Sequence, residues 1–474
     1  MSDKIVLERI IVKNLFDRFT YDINLNNGYN VAILIAPNGC GKTTIFNLVD
    51  FIFKPTIAKF IKVSKIPVDS CTCSLSNGKE VRLEFRKKKN KKTRHEIVHG
   101  GSYLPGLGLG LGRMEADGKE MYLVVDDGNI HELNIGKNIQ EVMKDLDDDE
   151  LPFTNALSER YMEYLDLNES FLREIPSRFR RAFVKSAEGL SSVVEFIEKH
   201  DCKLNINYIS ADRLHQQSIP FGNGGSIARS RAYEERNPIQ SIQEQFKNLY
   251  DKTDAEYKKR VSEARDKLPK MFLNTHNKTK LSFEDFDKSW QEYVSDMEKY
   301  YQLGLIDSAQ TILENSELEK SFKDNGAFLS VYLEAFKSTL DPWNKEYERL
   351  KLFADILNRR NRVTGKKLKY GPKGLIMQID GTSLPLECLS SGEKNDLVMF
   401  YNLIFNSARG SLVLIDEPEI SLHIEWQEEY LDCLLGICDL NGLQAIVATH
   451  SPNIVNGHFE LYAEKGLTDE RQRD

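Results

Sequence analysis

Ala36-Pro37-Asn38-Gly39-Cys40-Gly41-Lys42-Thr43 is the stretch on which the fold turns. A short apolar run, Asn30 to Ile35, enters it, and Thr43 to Phe53 leaves it with helical periodicity before Pro55 ends the pattern. A glycine-rich loop between a strand and a helix aims its N–H groups and the helix's positive end at one point, which cradles phosphate. Every fixed position of the G-x-x-x-x-G-K-[ST] pattern is met except the first, where Ala36 stands for glycine. That substitution asks only for a negative φ, which alanine tolerates. Asn38, Gly39, Cys40, Gly41 and Thr44 supply the cradle. Lys42 is expected to reach β- and γ-phosphates, and the Thr43 hydroxyl to ligate Mg2+.

Upstream, Ile5 to Val12 and Phe19 to Leu25 alternate as strands do. Downstream, Ser70 to Ile135 is strand-like, with Asn77-Gly78 and Asp127-Gly128 as hairpin turns and a glycine-rich loop, Gly100 to Gly112, interrupting it. Residues 140–203 read as helical and charged, Leu204 to Ser210 as a strand, and Phe221 to Ser226 as a flexible segment. From Pro238 to Asn361 the chain is helical and dense in Lys and Glu, without the persistent heptads of an extended coiled coil. The pattern then reverts. Leu375 to Ile379 and Ser383 to Leu386 form a hairpin around Asp380-Gly381, and a helix starts near Ser391. Ser411 to Ile415 is a buried-type strand, Glu425 to Asp439 a helix, and Leu443 to Ala448 another strand. The expected division is 1–135, an N-terminal half; 136–237, a helical insertion with a returning strand at 204–210; 238–361, a helical arm; and 362–474, a C-terminal half.

Composition narrows the class. Acidic residues outnumber basic ones, 72 to 64, so bulk charge does not coat nucleic acid, although a local basic patch stays open. No apolar stretch approaches a membrane span, the N-terminus lacks a signal-peptide core, and seven scattered cysteines form neither a disulfide framework nor a zinc spacing. A cytoplasmic protein without a membrane partner is expected.

Leu412 to Ile415 is an apolar strand followed by Asp416 and Glu417. At the carboxyl edge of a parallel strand, Asp416 can hold Mg2+ and Glu417 can act as general base on a water. Read alone, the same residues are also a solvated acidic turn. Leu389-Ser390-Ser391-Gly392-Glu393-Lys394 is an ordinary serine-capped helix start, and equally an anion site of hydroxyl, glycine N–H and helix dipole. Ala448-Thr449-His450-Ser451-Pro452 ends an apolar strand; a histidine there could sense a γ-phosphate, though most lone histidines at strand ends do not.

Taken in order, the phosphate loop, the Leu-Ser-Ser-Gly-Glu stretch, the strand with Asp-Glu and the strand-end histidine resemble an ABC-type ATPase head. The resemblance implies an α/β fold: an ABC-type P-loop ATPase head with a large, mostly helical insertion between Walker A and the signature motif. It implies ATP and Mg2+ as cofactors, Glu417 and His450 as catalytic residues, and Thr43 and Asp416 as metal ligands. It further implies that Ser390, Ser391, Gly392 and Glu393 meet the nucleotide of a second protomer. ATP then bridges a head-to-tail dimer, with a higher homo-oligomer such as a hexamer as a further expectation. Ile420 to His423 becomes the dimer-facing loop. Asp212-Arg213 is expected near the site; the glutamine loop has no assigned place.

Lys42 and Gly392 stand 350 positions apart, more than a transporter subunit inserts there. The insertion lacks the long coiled coil of chromosome-organising and break-repair relatives, and the 24 residues after His450 leave no room for an appended nuclease domain. Leu389 to Tyr401, Ile415 to Gln427 and Ala448 to Ile454 resemble the AriA-type ATPase subunits of PARIS anti-phage systems within the RecF/SMC/overcoming-lysogeny-like (AAA15/AAA21) branch. Septu ATPases (PtuA) come second. The resemblance covers the last hundred residues and the phosphate loop. It implies a sensor of a phage protein, such as one mimicking DNA in charge, that controls a separately encoded toxic nuclease: TOPRIM-type (AriB-like) in PARIS, HNH-type in Septu. A RecF/Rad50-like DNA repair ATPase is the rival from another class.

Several features carry two readings. Arg86 to Arg94 is the strongest basic cluster, either a contact for DNA phosphates or an acidic phage protein, or a solvated edge. Asp145 to Glu150 lacks the spacing of a calcium loop. Gly106 to Gly112 is superficially similar to a dinucleotide loop but does not join a strand to a helix. Cys71 and Cys73 share a strand face without further ligands, and Cys40 reads as a small filler.

Overall fold

The computed structural model describes residues 5–37, 39–87, 119–135, 191–211, 238–273, 282–306, 315–420, 422–463 and 468–469. Asn38, Lys88 to Arg94, Gly100 to Gly112, Asp145 to Glu150, Asp212-Arg213, Phe221 to Ser226 and Ser421 lie outside the described residues, as does the helical reading of 140–190.

The strands, in chain order, are β1 (Leu7–Leu15), β2 (Phe19–Asn24), β3 (Val31–Ile35), β4 (Ser70–Leu75), β5 (Glu80–Lys87), β6 (Lys119–Asp126), β7 (Ile130–Asn134) and β8 (Ile206–Ile209). They continue with β9 (Lys367–Gly371), β10 (Gly374–Ile379), β11 (Thr382–Leu384), β12 (Leu412–Asp416), β13 (Gln444–Thr449) and β14 (Thr468–Asp469). Contacts divide the chain into two compact units. The first is Met1–Ile227 with Ser407–Asp474; the second is Ala228–Asn406.

In the first unit β3, β13, β12 and β8 form a sheet in that order, every pair parallel. Val31 to Leu34, all of β12 and all of β13 are buried, as strands covered on both faces require. Gln444 is the polar intruder, and its amide is satisfied: it accepts from Leu7 N and donates to Leu7 O, both at 2.8 Å. A second, antiparallel sheet runs β14-β2-β1-β4-β5-β6-β7. Here burial alternates, with Leu7, Ile10, Val12 and Leu15 of β1 turned inward. Cys71 and Cys73 both face this core, two residues apart on β4. The helix Lys42–Phe53 packs on β8 and β12 of one sheet and on β4 and β5 of the other, and Ile45, Phe46, Val49 and Phe51 join both sheets in one core.

The second unit is mostly helical: Pro238–Leu273, Phe283–Leu303, Asn315–Lys337 with a kink at Asn325, and Asp341–Arg360. These are separate helices, not one rod. Phe246, Phe353, Tyr401 and Phe405 stack at its centre, with centroids 4.9–5.5 Å apart. A sheet β11-β10-β9 precedes the helix Ser391–Tyr401.

Two local readings need correction. The hairpin around Asp380 (φ 48°) and Gly381 (φ 80°) is there, but its second strand is only Thr382–Leu384, and β9 adds a partner that was not anticipated. The helix expected over Glu425 to Asp439 is two, Ile424–Glu428 and Tyr430–Asn441. The helix after Ser391 does not stop cleanly; it widens into a π-turn at Asn402–Asn406.

Candidate functional site

Parallel strands put their carboxyl ends on one edge, and that edge of the first unit collects the chemistry. β3 leads into the phosphate loop, β12 ends in Asp416, and β13 ends in Thr449 followed by His450. Register makes the neighbours explicit: Asp416 pairs with Ala448, and Thr449 with Ile35.

Within the loop Gly39 and Gly41 take φ of 83° and 92°, while Ala36 keeps the negative φ its side chain needs. At Gly41 a Cβ would lie 2.6 Å from Leu15 Cδ2 and 2.9 Å from the Phe16 ring, so only glycine fits. The Tyr21 hydroxyl donates to the Cys40 carbonyl, which ties the loop to β2. Lys42 is buried, and its ammonium donates to Ala36 O at 2.6 Å and Pro37 O at 3.4 Å. Thr44 is half-buried in the first helical turn.

Thr43 is exposed, yet its Oγ1 donates to Asp416 Oδ2 at 2.7 Å. The Tyr208 hydroxyl of β8 reaches the same oxygen at 3.3 Å. Burial, and then the Asp416 charge, push the Tyr208 hydroxyl far above its ordinary value, so it stays a proton donor. Asn47 donates to Thr43 O and accepts from Lys62, which holds the first turn.

Asp416 is buried, and the chain turns directly after it. Glu417 takes a left-handed φ of 45° while its N–H donates to Ala448 O at 2.8 Å. Its carboxylate lies 3.8 Å from His450 Nδ1. Two residues on, the buried Glu419 comes nearer, 3.1 Å from the same nitrogen. Sequence reading passed over Tyr208 and Glu419. Tyr208 carried no signal beyond its strand. Glu419, an acid just past Pro418, was visible but had no assigned partner.

Lys42, Thr43, Asp416, Glu417 and His450 are thus gathered at one edge of the first unit. Ser390, Ser391, Gly392 and Glu393 belong to the second unit, at the start of helix Ser391–Tyr401. Both serines are exposed. Ser390 Oγ accepts from Glu393 N at 3.3 Å and Glu393 Oε2 accepts from Ser390 N at 2.8 Å, a complete capping box. Lys366 Nζ sits 2.8 and 2.9 Å from the two Glu393 oxygens. Burial opposes ionisation of Glu393, but Lys366 and the Ser390 bonds outweigh it and hold the carboxyl below its usual value.

Of the basic cluster only Arg86 has a described side chain. It is engaged by Glu84 and Glu132 and lies over the Tyr122 ring. Among the described residues, one further group brings metal-ligating atoms together: Asp127, His131 and His200 within 4.8 Å. No helix among the described residues is long and apolar enough to cross a membrane.

Residues 6–455 match the AAA ATPase domain family AAA_15, and the chain belongs to that family. Its fold is α/β, that of an ABC-type P-loop ATPase head, with a large, mostly helical insertion between Walker A and the signature motif. No curated protein sequence matches the chain. Among solved structures it is similar to an Smc head domain with an extended coiled coil, bound to the C-terminal domain of ScpA and derived from Pyrococcus furiosus. Identity there is 13%, over 95% of this chain and 91% of that one, with a TM-score of 0.38. It is also similar to an Smc head domain with a coiled coil and joint derived from Pyrococcus yayanosii, at 12% identity over 95% and 93%, with a TM-score of 0.32. Both are loose likenesses.

Proposed function

We propose that this chain binds and hydrolyses ATP as an ABC-type head, and acts as sensor and regulator in bacterial anti-phage defence. The observation that carries the ATPase reading is the 2.7 Å hydrogen bond between Thr43 and Asp416, residues 373 positions apart. Two oxygen donors that close suit Mg2+, whose octahedral shell at about 2.05 Å sets adjacent ligand oxygens about 2.9 Å apart. When bound there, Mg2+ supplies charge neutralisation on the β- and γ-phosphates.

The chain's own residues do the rest. N–H groups from Gly39 to Thr43 cradle the phosphates, and Lys42 turns an ammonium proton from the loop carbonyls to the anion. Glu417 orients a water and takes its proton. His450 stands beside it at the γ-phosphate end. In the second unit Ser390 accepts from Glu393, which leaves its own O–H proton to donate to the γ-phosphate of a partner protomer, next to the N–H groups of Ser391 and Gly392. That makes the active form an ATP-bridged head-to-tail dimer, or a ring such as a hexamer built from the same contact.

The defence role rests on the resemblance of 389–401, 415–427 and 448–454 to AriA-type subunits. Its partners are then a TOPRIM-type nuclease encoded alongside and a phage trigger protein. Family membership supports the ATPase chemistry; the motif text supports the narrower role.

Lys42→Ala is expected to lose nucleotide binding, while Glu417→Gln keeps it and loses turnover by at least about 100-fold. Unchanged turnover in Lys42→Ala rejects the site. For the role, the chain is co-expressed with the product of the neighbouring gene and pulled down. A TOPRIM-type partner that co-purifies supports the proposal. An HNH-type partner moves the reading to Septu, and a repair operon with no co-purifying nuclease moves it to DNA repair.

A further inference from the structure

The β7 end of the antiparallel sheet carries a side-chain cluster that the ATPase chemistry does not use. β6 and β7 form a hairpin whose turn begins at Asp127, and His131 lies on β7 opposite Val125. His200 comes from a distant part of the chain, directly after the helical residues 191–199. One ligand atom from each of Asp127, His131 and His200 lies within 4.8 Å of the other two. His131 Nε2 is 3.3 Å from Asp127 Oδ1, and His200 Nδ1 is 3.9 Å from Asp127 Oδ2. The two imidazole rings sit side by side, with centroids 4.2 Å apart.

Local structure holds each member in place. Gly128 takes a φ of 96°, and Asn129 N donates to Asp127 Oδ1 at 3.2 Å, which closes the turn and orients the carboxylate. The His200 carbonyl accepts from Lys79 Nζ at 2.7 Å, and Asn77 donates to the Asp201 carbonyl at 2.8 Å. The turn between β4 and β5 thus pins His200 against the hairpin. The His200 ring packs edge-on against Phe196, with centroids 4.9 Å apart. Supports of this kind fix the orientation of a metal ligand before the ion arrives. The side chains of Asp127, His131 and His200 are 25%, 38% and 11% exposed, so the cluster is reachable from solvent.

We propose that Asp127, His131 and His200 bind Zn2+, with water as the fourth ligand, and that the ion staples the β6–β7 hairpin to the chain leading into β8. Two imidazole nitrogens and one carboxylate oxygen suit Zn2+, whereas Mg2+ and Ca2+ take oxygen ligands. Zinc bonds of about 2.0–2.1 Å set neighbouring tetrahedral ligands about 3.3 Å apart. The His131–Asp127 distance already has that value, and small side-chain rotations bring His200 in. Cys202 is buried and its Sγ donates to the His200 carbonyl at 3.4 Å, so no thiolate joins the set. The staple closes a long loop between Asp127 and His200, which removes freedom from the unfolded chain. It also fixes the approach to β8, whose Tyr208 reaches Asp416.

The test uses the full chain, stripped of metal by a chelator and free of nucleotide and Mg2+, with Zn2+ titrated in competition with a fluorescent indicator. The cluster should bind one Zn2+ with a Kd on the order of 1 µM, weaker than four-ligand structural sites. His131→Ala and His200→Ala should each raise that Kd at least about 100-fold, because even outer partners of a metal ligand are worth about 10- to 100-fold. Asp127→Asn keeps an oxygen but loses the charge, and should raise it about 10-fold. His458→Ala, at the separate group with Asp432 and Glu460, should bind as wild type does. Zn2+ should raise the melting temperature of wild type and leave that of His131→Ala unmoved. Co2+ in its place should give tetrahedral visible absorption with no thiolate charge-transfer band. A wild-type Kd above about 100 µM overturns the proposal. Zn2+ held equally by His131→Ala, or lost with His458→Ala, or a thiolate band with Co2+, puts the ion elsewhere and overturns it too. Should His200→Ala fail to fold, the more exposed His131 decides through His131→Ala.

Discussion

Gly41 shows how tightly one residue can be specified. Its φ of 92° is open to glycine, and the space a Cβ would need is held by Leu15 and Phe16, at the end of β1. Gly41→Ala is therefore expected to destabilise the first unit by about 1–3 kcal/mol and to weaken ATP binding. Gly39→Ala, which meets nothing within 4 Å, should carry the conformational cost alone, and comparing their melting curves checks the difference. Glu417 is the opposite case. It holds a left-handed φ of 45° with a full side chain, a strain kept because the N–H bond to Ala448 and the carboxylate both need that turn. Glu417→Gly should raise the unfolding free energy by about 1 kcal/mol while abolishing turnover. A Glu417→Gly variant less stable than wild type would show that the turn is unstrained.

At the scale of elements, the capping box of helix Ser391–Tyr401 has a pH signature. The Glu393 carboxyl is held below its ordinary value by Lys366 and Ser390, against the effect of burial. Its contribution is therefore complete above the unfolded carboxyl value near pH 4.5 and is lost as pH falls through the lower folded value. Glu393→Gln should cost about 1 kcal/mol at neutral pH, and the gap to wild type should close in acid; chemical unfolding at pH 7 and pH 3 checks it. Much of this scale was legible beforehand. The fully apolar runs Leu412 to Ile415 and Leu443 to Ala448 announce strands buried on both faces, and the glycine loop announces a strand–helix joint, because each signal is local. What was not legible depends on contacts far away in sequence. Nothing in Ile424 to Asn441 marks Glu429 as a break; Asn456 supplies it, by donating to the Glu428 carbonyl at 2.8 Å. Lys367–Gly371 alternates lysine and apolar residues, but only pairing with β10 makes it a strand. At the site, Lys42, Thr43, Asp416, Glu417 and His450 carried motif signals, whereas Tyr208 matters through its hydrogen bond to Asp416 and Glu419 through its bonds to Thr449 and His450.

For the whole molecule, the first unit is assembled from both ends of the chain, and Thr43 meets Asp416 across a stretch of sequence from which Ala228–Asn406 is set aside as the second unit. The proposed reaction goes one step further: its site is complete only when the phosphate loop of one protomer meets Ser390 and Gly392 of another. Such a site can be split between chains. A Lys42→Ala protomer has no working phosphate loop but an intact signature segment; a Ser390→Arg protomer has the reverse. Each should be inactive alone. In a two-fold head-to-tail dimer, a mixed pair contains one site with both halves intact and one with both halves broken. Random pairing in an equal mixture makes half the dimers mixed, each with one of two sites working, so about a quarter of wild-type turnover should return. A hydrolytic site confined to one protomer would return none. Turnover measured against mixing ratio therefore reads the assembly directly: a shared site gives a curve that peaks at equal amounts, and a self-contained site gives a flat line at zero.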